Sequence, residues 1–177
     1  MFVRKRKFTG IKIKKTELPN VKVIIDINLE CLKDSKNIDE EQDEDTPIYC
    51  LHGMTYNQMR KYICNLPEEK IVFIEKIMNN FPEKANIYAQ CAFYFRAFSR
   101  GQIFYDANHR TGYFSLQNIL NRKGIIIKAD LDEITGLTEY IKGQGWLKMG
   151  KIPVNLKEKD EEYYVLRDWF KERLDLG

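Results

Sequence analysis

Between residues 84 and 122 the chain reads as two strongly patterned helices joined by the segment Gly101-Gln102-Ile103-Phe104-Tyr105-Asp106-Ala107-Asn108-His109-Arg110-Thr111-Gly112. The first stretch, about 84–99, brings Tyr88, Cys91, Ala92, Phe95 and Phe98 onto one face at helical spacing. The second runs from about 108 to 122, where Lys123-Gly124 stops it. The connection at 100–107 is therefore a loop that turns into a helix start. It carries a carboxylate, an amide and a guanidinium at alternate positions, Asp106, Asn108 and Arg110.

The flanking sequence extends the helical reading. Thr55 and Gln58 have capping-box spacing, with Met59, Tyr62 and Ile63 on one face. Pro67-Glu68-Glu69 opens a helix with the apolar stripe Ile71, Ile74, Ile77, Met78 and Phe81, and Pro82 ends it. Ile125 to Lys128 reads as a short extended piece, followed by a helix over about 131–142 and a glycine-rich turn, Gly143-Gln144-Gly145. A last helix, about 159–174, carries Tyr163, Leu166, Trp169, Phe170 and Leu174.

The N-terminal part differs. Ile11 and Ile13 alternate with Lys12 and Lys14, Pro19-Asn20 marks a turn, and Val21, Val23, Ile25, Ile27 and Leu29 alternate with polar residues except at Ile24. This pattern predicts a β-hairpin over roughly 10–28. Asp39 to Asp45 holds six acids in seven residues and reads as a solvated loop. The expected organisation is one domain over 1–177, mainly α, with a basic β-hairpin and acidic loop over 1–46 and a helical core over 47–177.

Composition narrows the function classes. With 44% hydrophobic and 31% charged residues the chain reads as soluble and globular. No run of 18 apolar residues marks a membrane span. The basic run Arg4-Lys5-Arg6-Lys7 has no apolar stretch behind it, so a secretory signal is not expected. Cys31, Cys50, Cys64 and Cys91 lack paired spacing and read as free thiols of a cytoplasmic protein. With two histidines and dispersed cysteines, no zinc-type spacing occurs. Residues 1–15 hold seven Lys or Arg, but only Phe2 and Phe8 interleave them, so nucleic acid is not the expected partner and a lysine-protected strand edge is.

The 101–112 segment has the chemistry of an anion and metal pocket. A helix start leaves backbone N–H groups without partners and presents the positive end of the dipole, which together bind phosphate. Asn108 can cap or orient the turn. Arg110 can hold a phosphate through two parallel bonds, and Asp106 can hold a Mg²⁺ that bridges phosphates. The plain alternative is an ordinary Asx cap followed by a solvated arginine.

The same residues resemble the signature of the Fic/Doc family, His-x-Phe-x-(Asp/Glu)-(Gly/Ala)-Asn-x-Arg. Phe104, Asp106, Ala107, Asn108 and Arg110 match in register. Arg100, Gly101, Ala107 and Thr111 agree further with the death-on-curing (Doc) branch, as does Asn121-Arg122-Lys123-Gly124 before an extended apolar piece. The similarity covers about residues 84–135. It implies a mainly helical Fic-fold core that transfers AMP or a phosphoryl group from a nucleotide such as ATP to a protein hydroxyl. On that resemblance Asp106 holds Mg²⁺, and Ala107, Asn108, His109, Arg110 and Thr111 form the nucleotide-phosphate site. Phe104 anchors the loop, and an antitoxin-like protein is a possible regulator.

Three residues depart from the pattern. Gln102 stands at the position of the family histidine that takes a proton from the attacking hydroxyl. Loss of a general base costs about 10²–10⁴-fold, so an attenuated enzyme is expected. Tyr113 stands where AMP-transferring members carry a second arginine, and His109 replaces the Lys or Gly before Arg110. His109 is a weak candidate for a relocated base, disfavoured in its charged form by the helix dipole. His52, in a possible remnant of a substrate-docking hairpin at 47–53, reads more simply as a turn residue. The inhibitory-helix pattern nearest to Thr135–Glu139 is broken by Tyr140. The alternatives are an active transferase with another base or donor, and a non-catalytic interaction module.

Overall fold

The computed structural model describes residues 10–36, 54–147 and 155–176. Among these are seven α-helices: α1 (Val21–Lys36), α2 (Tyr56–Cys64), α3 (Glu68–Asn79), α4 (Ile87–Gly101), α5 (Asn108–Asn121), α6 (Leu131–Leu147) and α7 (Glu161–Arg173). A two-stranded antiparallel sheet joins β1 (Ile126–Ile127) to β2 (Leu174–Asp175), with Ile126 opposite Asp175 and Ile127 opposite Leu174. The protein is mainly helical, as its periodicity predicts. No described helix is long and apolar enough to cross a membrane.

Helix α4 is the axis of the core. Every side chain from Ala89 to Ser99 is buried, the signature of a helix enclosed on all sides. It packs most extensively against α5 and α7. Gly112 on α5 makes that approach possible. A Cβ at Gly112 would lie 2.8 Å from the Cβ of Phe98, so any larger residue would push the helices apart.

The local signals at the later helix ends hold. Thr55 and Gln58 exchange the two capping-box bonds, at 3.1 and 2.9 Å. Helix α3 starts after Pro67 and stops before Phe81-Pro82. Gly124, at φ 71°, closes the end of α5. Met59, Ile63, Ile74, Ile77 and Phe81 are buried as predicted, whereas Tyr62 is exposed.

Two expectations are corrected. The segment predicted as the second arm of a hairpin is helix α1. Among its described side chains Ile24, Asn28, Leu29, Cys31 and Leu32 are buried, Asn28 lying four positions from both Ile24 and Leu32, and the Asn20 side chain accepts from the Val23 N–H at 3.0 Å to cap it. Ile24, the exception to alternation, belongs to the helical stripe. Ile11 and Ile13 do turn inward with Lys12 and Lys14 outward, but the partner is a side chain. Fully buried Gln90 of α4 accepts from the Ile13 N–H at 2.8 Å and donates to the Ile13 carbonyl at 3.0 Å, as a strand neighbour would. The second correction concerns Gly143-Gln144-Gly145, which continues α6 rather than turning. Helical hydrogen bonding through α6 overrides the modest per-residue penalty of glycine. The basic run at 1–9, the acidic loop and His52 lie outside the described residues.

A buried ion cluster ties α7 to α4. Asp160 caps α7 by accepting from the Tyr163 N–H at 3.0 Å, and its other oxygen meets Arg96 at 2.7 Å and Arg100 at 3.3 Å. Glu162 sits 3.6 Å from Arg96 and 3.3 Å from Arg100. Burial opposes ionisation of Asp160, but the Tyr163 N–H and the two guanidinium groups outweigh it and hold the carboxyl below its ordinary 3.8. The unfolded chain therefore binds a proton to Asp160 more readily than the folded one. This contribution is complete above about pH 4 and is lost as the pH falls through the depressed folded value. Asp160→Ala is expected to lower stability at pH 7 by about 3–5 kcal/mol. Asp160→Asn, which can still cap α7, is expected to cost less. Urea denaturation of the three proteins at pH 7 and pH 3 checks this, and the gap between wild type and Asp160→Asn narrows at the lower pH.

Candidate functional site

Six residues, 102–107, reverse the chain between α4 and α5. Both ends of this loop are left-handed, Gln102 at φ 44° and Ala107 at φ 62°. For residues other than glycine this costs about 1–2 kcal/mol each, so surrounding contacts must hold the loop. Gly101 fits because its neighbour is the Phe73 ring, which a Cβ would approach to 2.5 Å.

Asn108 supplies the main clamp. Its Oδ1 accepts from the Phe104 N–H and its Nδ2 donates to the Phe104 carbonyl, both at 2.8 Å. Asn108 is buried, so its side chain orients the turn while its backbone N–H remains at the helix start. Phe104 and Ile103 are buried beneath the loop, and Tyr105 is exposed with its ring edge-on to Tyr62 at 6.1 Å between centroids. Thr111 is fully buried and donates from Oγ1 to the Ala107 carbonyl at 2.8 Å.

The sequence reading missed Asn28. It projects from α1 and donates to the Asp106 carbonyl at 3.0 Å and to Thr111 Oγ1 at 2.9 Å. The available signal was a polar residue four positions after Ile24 on the buried stripe, visible once that stretch is read as a helix.

The predicted site residues come together at the first turn of α5. No described side chain caps this helix at Ala107. Asp106 is half-buried, and its Oδ1 accepts from the Ala107 N–H at 2.5 Å. His109 and Arg110 are half-buried on the same turn. Arg110 forms no hydrogen bond or ion pair with any described residue, although the helix start disfavours a cation. Arg100, by contrast, faces away into the ion cluster with Asp160 and Glu162. Gln102 folds back, its Nε2 donating to the Ser99 carbonyl at 3.3 Å, while Lys70 donates to the Gln102 carbonyl at 2.7 Å. Gln102 thus closes the C-terminal end of α4.

No group of three or more His, Cys, Asp or Glu side chains placed to hold a metal ion occurs among the described residues. Asp106 is the one carboxylate of the 101–112 segment. A separate cavity of about 340 Å³ lies toward the opposite end of α4, lined by Asn86, Tyr88, Arg167, Asp168 and Lys171. None of the predicted site residues line it.

Comparison with known proteins yields no matching family model, curated protein or solved structure.

Asn108→Ala leaves the buried Phe104 N–H and carbonyl without their partner. Each is expected to cost about 1–3 kcal/mol. Equilibrium urea unfolding measures the loss, and an unchanged midpoint would show that the clamp does not hold the loop.

Proposed function

We infer that this chain is a Doc-like Fic-fold protein that binds a Mg-nucleotide at the start of α5 and is attenuated in group transfer. The observation that carries the reading is Arg110. A half-buried guanidinium that pairs with no described residue sits at a helix start with no side-chain cap among the described residues, where the dipole already repels it. A phosphate there would accept from the first-turn N–H groups and from Arg110, and would relieve that repulsion.

Each residue then has a defined part. The backbone N–H groups of Asn108 and His109 would donate to phosphate oxygens, joined by that of Ala107 once Asp106 Oδ1 releases it, and Arg110 would clamp one of them. Asp106 would hold Mg²⁺, which when bound neutralises phosphate charge. Asn108 and Thr111 keep the loop in shape through Phe104 and Ala107. The acceptor would be a protein hydroxyl. Gln102 cannot take its proton, and its amide closes the end of α4 instead.

A thermal-shift series with Mg²⁺ and nucleotides tests binding. At a hundredfold excess over the dissociation constant, a ligand specific to the folded state adds about 2.7 kcal/mol. That raises Tm by roughly 2–4 °C per kcal/mol for a chain of this size. The shift is expected with wild type and lost in Arg110→Ala. Absence of a shift with every nucleotide would remove the reading.

Gln102→His restores a group able to accept the proton, and histidine tolerates the left-handed conformation better than most residues. Transfer of label from a radiolabelled nucleotide to protein is expected to rise by about 10²–10⁴-fold. Strong transfer by wild type, abolished in His109→Ala, would instead favour an active enzyme with a relocated base.

A further inference from the structure

We propose that Asn28 is a positioning residue that sets the polarity of the phosphate site, by locking the peptide between Asp106 and Ala107 with its N–H toward the ligand. The role in binding rests on the nucleotide reading above; the lock itself does not. In a trans peptide the carbonyl and the N–H point in opposite directions. Asn28 takes the carbonyl end, with Nδ2 3.0 Å from the Asp106 oxygen. A carbonyl oxygen only accepts, so the facing atom of the amide is the donor nitrogen. The N–H end is thereby turned away from α1, where it meets a negatively charged oxygen, Asp106 Oδ1, at 2.5 Å. The loop thus already presents a donor to an anionic oxygen.

The lock works against a local preference. Rotating this one peptide by half a turn would carry Ala107 from φ 62° to a negative φ, the side that alanine favours. It would also replace the N–H by a carbonyl oxygen, which repels phosphate. The Thr111 hydroxyl holds the next carbonyl, of Ala107, and Asn28 donates to that same hydroxyl at 2.9 Å. One buried amide therefore fixes the first peptide directly and supports the holder of the second.

The position is otherwise ill-suited to an amide. Asn28 is fully buried and its Oδ1 has no hydrogen-bond partner among the described residues. A leucine would fill similar space without burying that orphan acceptor, so the two donated bonds are what an asparagine adds there.

The test compares wild type, Asn28→Leu, and Asn28→Leu/Ala107→Gly. The sign of φ at Ala107 is read by NMR without ligand, because a positive φ gives a strong intraresidue HN–Hα NOE. Affinity for inorganic phosphate and for Mg-ATP is measured by calorimetry. In Asn28→Leu the Ala107 NOE is expected to weaken and affinity to fall by about tenfold, the population factor set by a left-handed alanine. Adding Ala107→Gly, which removes the preference against positive φ, is expected to restore part of the binding. A role in packing alone would not be rescued in this way. An unchanged NOE in Asn28→Leu, or unchanged affinity, overturns the proposal. If wild type binds neither ligand, the nucleotide reading and the binding role fail together, while the NOE still decides the lock. Should Asn28→Leu lack a folded circular dichroism spectrum, Asn28→Asp replaces it, since its oxygens repel the Asp106 carbonyl. The same NOE and affinity outcomes then apply.

Discussion

The close crossing of α4 and α5 at Phe98 and Gly112 is the constraint on which the rest of the structure depends. With a glycine at the contact, the two helices approach until no Cβ would fit. Six residues must then reverse the chain, and the turn is sharp enough to require left-handed backbone at both ends. A loop that tight cannot satisfy its own polar groups with regular secondary structure. Side chains take over: Asn108 pairs both polar groups of Phe104, Thr111 holds Ala107, and Asn28 holds Asp106. The start of α5 has no side-chain cap among the described residues, and the proposed function makes use of that position.

Charge placement separates the structural arginines from the candidate ligand-binding one. Arg96 and Arg100 are paired with Asp160 and Glu162 in a buried cluster that docks α7 against the end of α4. Their desolvation is offset by opposite charges close at hand, and removing one partner would leave another charge buried. Arg110 has no such partner among the described residues and sits at the wrong end of a helix dipole. The loop between them connects this ion cluster to the start of α5. Gln102 lies at that boundary, and its fold-back on Ser99 and the Lys70 contact tie it to the scaffold.

Much of the helical layout was legible because its signals are local. The Thr55–Gln58 box, Pro67, Pro82 and Gly124 each act through nearby backbone, and each marks an observed boundary. The stretch from Val21 to Leu29 misled because β-branched residues happened to alternate there, whereas tertiary burial follows Ile24, Asn28 and Leu32. In the site, the clustering of Asp106, Asn108 and Arg110 at one helix start followed from sequence proximity. Asn28 and the arginines of the ion cluster have hydrogen-bond partners 60 to 83 positions away, which no local pattern encodes. Gly143 and Gly145 show the reverse case, local breakers carried through by a continuing helix.

The central claim is that the first turn of α5 is an anion site. Titrating ¹⁵N-labelled wild-type protein with Mg-ATP and following backbone amide shifts tests it residue by residue. The account predicts saturable shifts concentrated at Ala107, Asn108, His109 and Arg110. Shifts confined to the cavity around Asn86 and Arg167, or no saturable shifts at all, would contradict it.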